Sequence, residues 1–271
     1  MGKWIWRVLI LFFAAVFVFS GWQLFTILRA YQDGQNSYAS MEQYISFIET
    51  ENTAPGTAPT VPPTEDSSDV TEAPDPSPWP QVAFDQLSKI NPDIVAWIYI
   101  EGTNINYPVV QGSDNSYYLN RLFDGSYNNS GCIFLDAACA SDFSHPHSIL
   151  YGHHMKDKSM FSALTDYKDQ AFYDEHSVAF LITPSACYKI QFFSGYVSDT
   201  WGNAWDLNFH EDEYMGWLNN IQQKSCFASD HAPTGADRII TLSTCSYEFD
   251  TAKFVLHGYI SEVMENTTAD D

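Results

Sequence analysis

The sequence predicts a mainly β domain, an antiparallel barrel or sandwich, carried behind an N-terminal helix that crosses a membrane. Three observations predict it. Residues 8–28 form an uncharged run dominated by Leu, Ile, Val, Phe and Ala. Residues 51–80 are rich in Thr, Pro, Ser and acids, with almost nothing to bury. From about residue 81 onward, short apolar runs alternate with Gly, Asn, Asp and Pro turns, the pattern of many short strands.

The first run, 21 residues long, meets the roughly 20 needed to span a bilayer as a helix. Lys3 and Arg7 precede it and the segment after Arg29 soon turns acidic. The positive-inside rule therefore makes residues 1–30 a cytoplasmic N-terminus and anchor, with everything downstream outside. A cleaved signal peptide is the alternative, but Ser20-Gly21-Trp22 does not supply its small-residue cleavage site. In the juxtamembrane segment, residues 31–50, Tyr38, Met41, Ile45 and Ile48 recur at helical spacing and suggest a short helix. Residues 51–80 read as a disordered tether extended by proline and like charge. At ~3.1 Å per residue it reaches roughly 90 Å at most, which implies a domain working away from the membrane surface.

The globular domain spans residues 81–263, and an acidic tail, residues 264–271, follows it. Phe84, Leu87 and Ile90 fit a helix at its start. Apolar runs at residues 95–100, 107–110, 132–135, 148–151, 179–182 and 188–193 read as strands. Tyr214, Trp217, Leu218 and Ile221 fit one face of a later helix, with acids before it and Lys224 at its end.

With 34 acidic against 12 basic residues, the net charge of −22 repels phosphate backbones and argues against a nucleic acid partner. Five cysteines at irregular spacing, with no CxxC pair, fit neither a disulfide framework nor a zinc ribbon, and the odd count permits a free thiol. Residues 238–245 read as a strand ending in Cys245, and residues 253–260 as the strand that returns. Paired as a hairpin, they bring Cys245 and Lys253 together at its mouth, and a thiol beside a cation is favoured in its reactive form. Cys132, Cys139, Cys187 and Cys226 read instead as small buried hydrophobes.

A nucleophilic cysteine needs a proton-transfer partner. His257 lies inside the returning strand, about 13 Å from Lys253 at ~3.3 Å per residue, too deep to serve. His153 follows the apolar strand Ser148-Ile149-Leu150-Tyr151 across Gly152, which permits a sharp exit from the sheet. His145, His147, His153 and His154 also admit a metal reading, but no flanking acid completes a ligand spacing, and no metal or cofactor is expected.

Thr241-Leu242-Ser243-Thr244-Cys245 matches the TLxTC motif of sortases, and Tyr151-Gly152-His153-His154-Met155 resembles the YGHxM segment of class B sortases. The similarity to class B sequences extends over residues 84–261, through Ile90-Asn91-Pro92-Asp93 and the stretch from Gly102 to Gln111. The resemblance implies an eight-stranded sortase barrel with an added N-terminal helix and a helix in the loop between strands six and seven. It implies that Cys245 attacks a threonyl carbonyl in a C-terminal sorting signal of the NPxTx kind on a surface protein, with His153 transferring protons. The acceptor amine then comes from a cell-wall precursor or, in pilus-building relatives, a pilin lysine. By position, Asn115, Leu119, Tyr151, Ser243 and Thr244 line the signal-binding groove. The chain departs from the family at its third catalytic residue, an arginine whose place is taken by Lys253, which keeps the charge and loses the planar fork of donors. Two other functions stay open at this level: a secreted cysteine peptidase that transfers to water, and a sorting-signal-binding scaffold without turnover.

Overall fold

The computed structural model describes residues 3–47, 79–210 and 213–265. Most of the predicted tether and all but the first residues of the acidic tail lie outside the described residues. Helix α1 (Lys3–Met41) is continuous over 39 residues. It is the one helix among the described residues that is long and apolar enough to cross a membrane. At 1.5 Å per residue it measures about 58 Å, nearly twice the ~30 Å of a bilayer's hydrocarbon core.

Among the described residues no separate juxtamembrane helix follows, because no proline interrupts residues 29–41 and the same helix simply continues; Ile48 lies outside them. Its last turns pack on the domain. Tyr38 and Met41 are buried in the main core, Asn128 Nδ2 donates to the Ala30 carbonyl at 2.8 Å, and Gln35 Nε2 donates to Asp157 Oδ2 at 3.0 Å. Gly34 allows this approach, since a Cβ there would lie 2.9 Å from Ser130 Oγ. After a single 3-10 turn, β1 (Ile45–Phe47) pairs antiparallel with β2 (Pro80–Val82), Phe47 opposite Pro80. The two ends of the intervening stretch therefore meet. The barrel is docked on α1 through the Tyr38, Met41, Asn128 and Asp157 contacts, and residues 51–78 of the expected tether lie outside the described residues.

Helix α2 (Phe84–Ile90) buries Leu87 and leads into a closed barrel. Its strands are β3 (Ile94–Tyr99), β4 (Asn106–Val110), β5 (Ile133–Leu135), β6 (His147–Tyr151), β7 (Val178–Ile182), β8 (Ala186–Ser198), β9 (Ile239–Cys245) and β10 (Lys253–Glu265). The order around the barrel is β10-β8-β7-β3-β4-β5-β6-β9, and β9 closes it against β10. The apolar runs read from the sequence all fall on strands, with one correction to their direction. Two pairs, β4 with β5 and β6 with β9, are parallel. Parallel neighbours need long connections, and both pairs have them: 22 residues separate β4 from β5, and two strands and two helices separate β6 from β9.

Short helix α3 (Gln170–Glu175) is capped by Asp169, whose side chain accepts from the Ala171 N–H. Helix α4 (Tyr214–Gln223) lies in the connection between the sixth and seventh barrel strands, β8 and β9. It buries Tyr214, Trp217, Leu218 and Ile221 against Phe193, Tyr196 and Val255 on the outside of the barrel. The eight-stranded barrel and its loop helix are therefore those the resemblance implied.

Candidate active site

The hairpin register places Cys245 directly opposite Lys253, and Lys253 Nζ donates to Cys245 Sγ at 3.0 Å. The connecting turn is closed by Ser246 N–H to the Ala252 carbonyl at 2.9 Å. It is tied to the 3-10 segment Ser162–Lys168, whose Lys168 donates to Ser246 Oγ and to Glu248. The Lys168 ammonium and the Ser246 hydroxyl hold the Glu248 carboxyl down to about 2.

The parallel pairing of β6 with β9 brings the histidine to the cysteine strand. Tyr151 stands opposite Ser243, and the Gly152 N–H donates to the Ser243 carbonyl at 3.1 Å. Gly152 is required for space and not for a left-handed turn: a Cβ there would meet Ile133 Cδ1 at 2.5 Å and the Phe161 ring at 2.7 Å. His153 Nε2 bonds the Leu119 carbonyl at 2.7 Å. A carbonyl only accepts, so Nε2 carries a hydrogen and Nδ1 is the nitrogen left for proton transfer. The neighbouring His154 turns elsewhere, its Nδ1 donating to the Cys245 carbonyl at 3.1 Å.

A groove of about 600 Å³ opens over these residues. Cys245, His153 and Lys253 line it, together with Asn115, Leu119, Tyr151, Ser243 and Thr244. All eight residues singled out from the sequence thus share one surface. The structure adds Phe134, Thr200 and Trp205, which the sequence reading did not single out. Thr200 and Trp205 come from the long β8–β9 connection, and Trp205 Nε1 donates to Ser243 Oγ at 3.4 Å. Among the described residues, Thr244 Oγ1 is buried without a partner, beside the cysteine.

The other cysteines are all free thiols. Burial pushes Cys132 and Cys187 up to about 12 and Cys139 up to about 11. Cys226 departs from the expectation of burial: it is exposed, because it follows α4 in a surface loop where its backbone N–H holds the Gly195 carbonyl. The histidines near His153 in sequence do not converge on it. His147 is fully buried and held at about 4 by loss of solvent, with Nδ1 on the Asp206 carbonyl and Nε2 on Thr241 Oγ1, both at 2.7 Å. His257 is equally buried and bonds the same Thr241 hydroxyl. Neither Arg121 nor Arg238 replaces the family arginine, since Arg121 bonds the Gly125 carbonyl and Arg238 the Phe143 carbonyl, away from the groove.

No family model matches the chain. It is 39% identical over 183 residues to sortase B of Staphylococcus aureus, covering 66% of this chain and 75% of that protein. The crystal structure of sortase B from Bacillus anthracis superposes with a TM-score of 0.68 at 31% identity, covering 86% of this chain and 99% of the other. A substrate complex of the Staphylococcus aureus sortase B superposes with a TM-score of 0.63 at 37% identity, over 68% and 85% of the two chains. With the thiol of the TLxTC segment, the imidazole of the YGHxM segment and the Lys253 cation gathered in one groove of a closed eight-stranded barrel, the chain belongs to the class B sortases, a family of cysteine transpeptidases.

Proposed function

We propose that this chain is a membrane-anchored enzyme whose barrel works outside the cytoplasm, joining surface proteins that carry an NPxTx-like C-terminal signal to an amine of a cell-wall precursor or a pilin. The observation that carries it is the convergence of Cys245, Lys253 and His153 on one groove large enough for an extended peptide. His153 Nδ1 takes the Cys245 thiol proton, the sulphur attacks the threonyl carbonyl carbon, and the carbonyl π pair moves to the oxygen. Collapse breaks the peptide bond, and His153 Nδ1 protonates the departing amine. A thioester to Cys245 remains. The acceptor amine then gives a proton to His153, attacks the thioester and releases the sulphur. Lys253 leaves Sγ once the thioester bond begins to form and meets the negative oxygen beside it. The excess of positive charge before the apolar run, Lys3 and Arg7, supports a cytoplasmic N-terminus.

The test incubates the full chain in detergent micelles with NPxTx peptides, with and without a glycine-based amine, and reads the products by mass. An amide product that rises with amine concentration is expected. Hydrolysis at a rate indifferent to the amine, with no amide formed, would overturn transpeptidation in favour of a peptidase.

A further inference from the structure

Asp136 follows directly on β5 and is buried, with only 7% of its surface exposed. No lysine or arginine pairs with it among the described residues. A carboxylate so placed persists only where donors replace its lost water. Three do. The Ala138 N–H donates to Oδ1 at 2.8 Å, while Asn115 Nδ2 and the Tyr151 hydroxyl both donate to Oδ2 at 2.9 Å. The Asn115 amide is fixed at its other end as well, because its Oδ1 accepts the Ala137 N–H at 2.8 Å. Both Asn115 and Tyr151 line the groove that holds Cys245.

This arrangement decides which hydrogen-bonding groups the groove wall retains. One of the two Nδ2 hydrogens of Asn115 is engaged by Asp136, so one remains as a donor. The single proton of Tyr151 is also engaged, so its oxygen remains as an acceptor. Burial and the nearby Asp136 charge raise the Tyr151 phenol well above its ordinary value, which keeps that proton in place. We infer that Asp136 is a positioning residue that fixes the polarity of the groove wall, an N–H at Asn115 and an acceptor at Tyr151, to receive a substrate peptide unit through its C=O and N–H. The inference rests on the transpeptidase reading of the same groove.

The test is a double-mutant cycle in the full chain in detergent micelles, read with an NPxTx peptide. Asp136→Asn keeps the shape but, with its oxygen on the Ala138 N–H, turns its amide NH2 toward both the Asn115 and Tyr151 donors. A hydrogen bond to a charged group carries about a 10- to 100-fold effect, so KM is expected to rise by that factor. The value of kcat should stay within about threefold, and the rate at which a methanethiosulfonate labels Cys245 should not change. In an Asn115→Ala/Tyr151→Phe background, Asp136→Asn should add almost nothing to KM. Binding of the peptide to the Cys245→Ala chain should show the same pattern without turnover. Full additivity of the three changes, or a fall in kcat with KM constant, would overturn the positioning role.

Where Asp136→Asn prevents folding, coupling between Asn115→Ala and Tyr151→Phe decides instead, since the two side chains share Oδ2. Additive effects there would also overturn the inference. A wild-type chain that neither binds nor cleaves the peptide overturns the transpeptidase reading and this assignment with it. Wild-type turnover with uncoupled Asp136→Asn overturns the assignment alone.

Discussion

Replacing Lys253 by alanine removes the ammonium that lies 3.0 Å from Cys245 Sγ. Opposite unit charges at that separation attract by about 5.5 kcal/mol at an effective dielectric of about 20. Only part survives as net stabilisation, because Lys253 is half-buried and its neighbours are open to water. A hydrogen bond to a charged group contributes ~1.5–3 kcal/mol net, and removing a positioned oxyanion donor costs ~2.7–4 kcal/mol. The two contributions do not add, since one ammonium meets first the sulphur and then the oxygen. The expected loss for Lys253→Ala is therefore about 2–4 kcal/mol, or roughly 30- to 1000-fold in kcat/KM. Lys253→Arg should leave activity unchanged or raise it, because the guanidinium restores two directed donors at the same charge. Signal-peptide cleavage by the three chains at one pH measures this. Labelling of Cys245 by a methanethiosulfonate separates the two contributions, since only an effect on the sulphur slows it. Equal cleavage and equal labelling for lysine and alanine would show that the position is idle and that the reasoning is wrong.

Cys245→Ala should abolish turnover, and a thiol reagent near pH 8 should reach Cys245 first and the exposed Cys226 next, with the buried Cys132, Cys139 and Cys187 last; peptide mass mapping over time reads the order. His153→Ala should be as disabling as loss of the thiol, whereas His154→Ala removes one hydrogen bond to the Cys245 carbonyl and should reduce kcat/KM by no more than about tenfold. The Glu248 carboxyl is depressed to about 2 in the folded chain, so its contribution is present above the unfolded value of ~4.3 and is lost as pH falls through about 2. The Tm difference between wild type and Glu248→Gln should accordingly shrink between pH 5 and pH 2, from a small starting value because the ion pair is partly exposed. Residues 81–271 should fold alone but melt about 10 °C below residues 30–271, since truncation uncovers the face that buries Tyr38 and Met41, at roughly 1.5–3 kcal/mol per side chain; equal melting temperatures would show that the helix contact contributes nothing.

The parts of the site legible in the sequence are those set by local register. Cys245 and Lys253 are joined by a seven-residue turn, so two recognisable strands suffice to place them opposite each other. The approach of His153 depends on β6 lying parallel to β9, a pairing across 87 intervening residues that no local pattern encodes; there the motif resemblance supplied what periodicity did not. Asp136 passed unnoticed because a single acid after the apolar run at residues 132–135 reads as an ordinary turn residue. Its burial depends on Asn115 and Tyr151, which arrive from other parts of the chain. Trp205 and Thr200 were hidden for the same reason, since a long connection shows its contents but not the surface it covers. Gly152 was legible as necessary but not for its reason: the crowding by Ile133 and Phe161 is a tertiary fact.

In the N-terminal third, composition does not decide where the domain sits. Residues 51–80 have the make-up of a spacer, and a spacer extends the reach of a domain only if its ends are free to separate. Here Ile45 pairs with Val82 and Phe47 with Pro80, which fixes the flanks about 4.8 Å apart across a two-stranded ribbon. The length of chain between them then has no bearing on where the barrel sits. That position is set by the last turns of α1, through Tyr38, Met41 and the hydrogen bonds to Asn128 and Asp157. Strands of three residues carry too little pattern to be read, and a helix that changes from apolar to polar at Arg29 looks like two segments even when its backbone is one. The groove is consequently held in a fixed orientation to α1 by the packing of barrel and helix together.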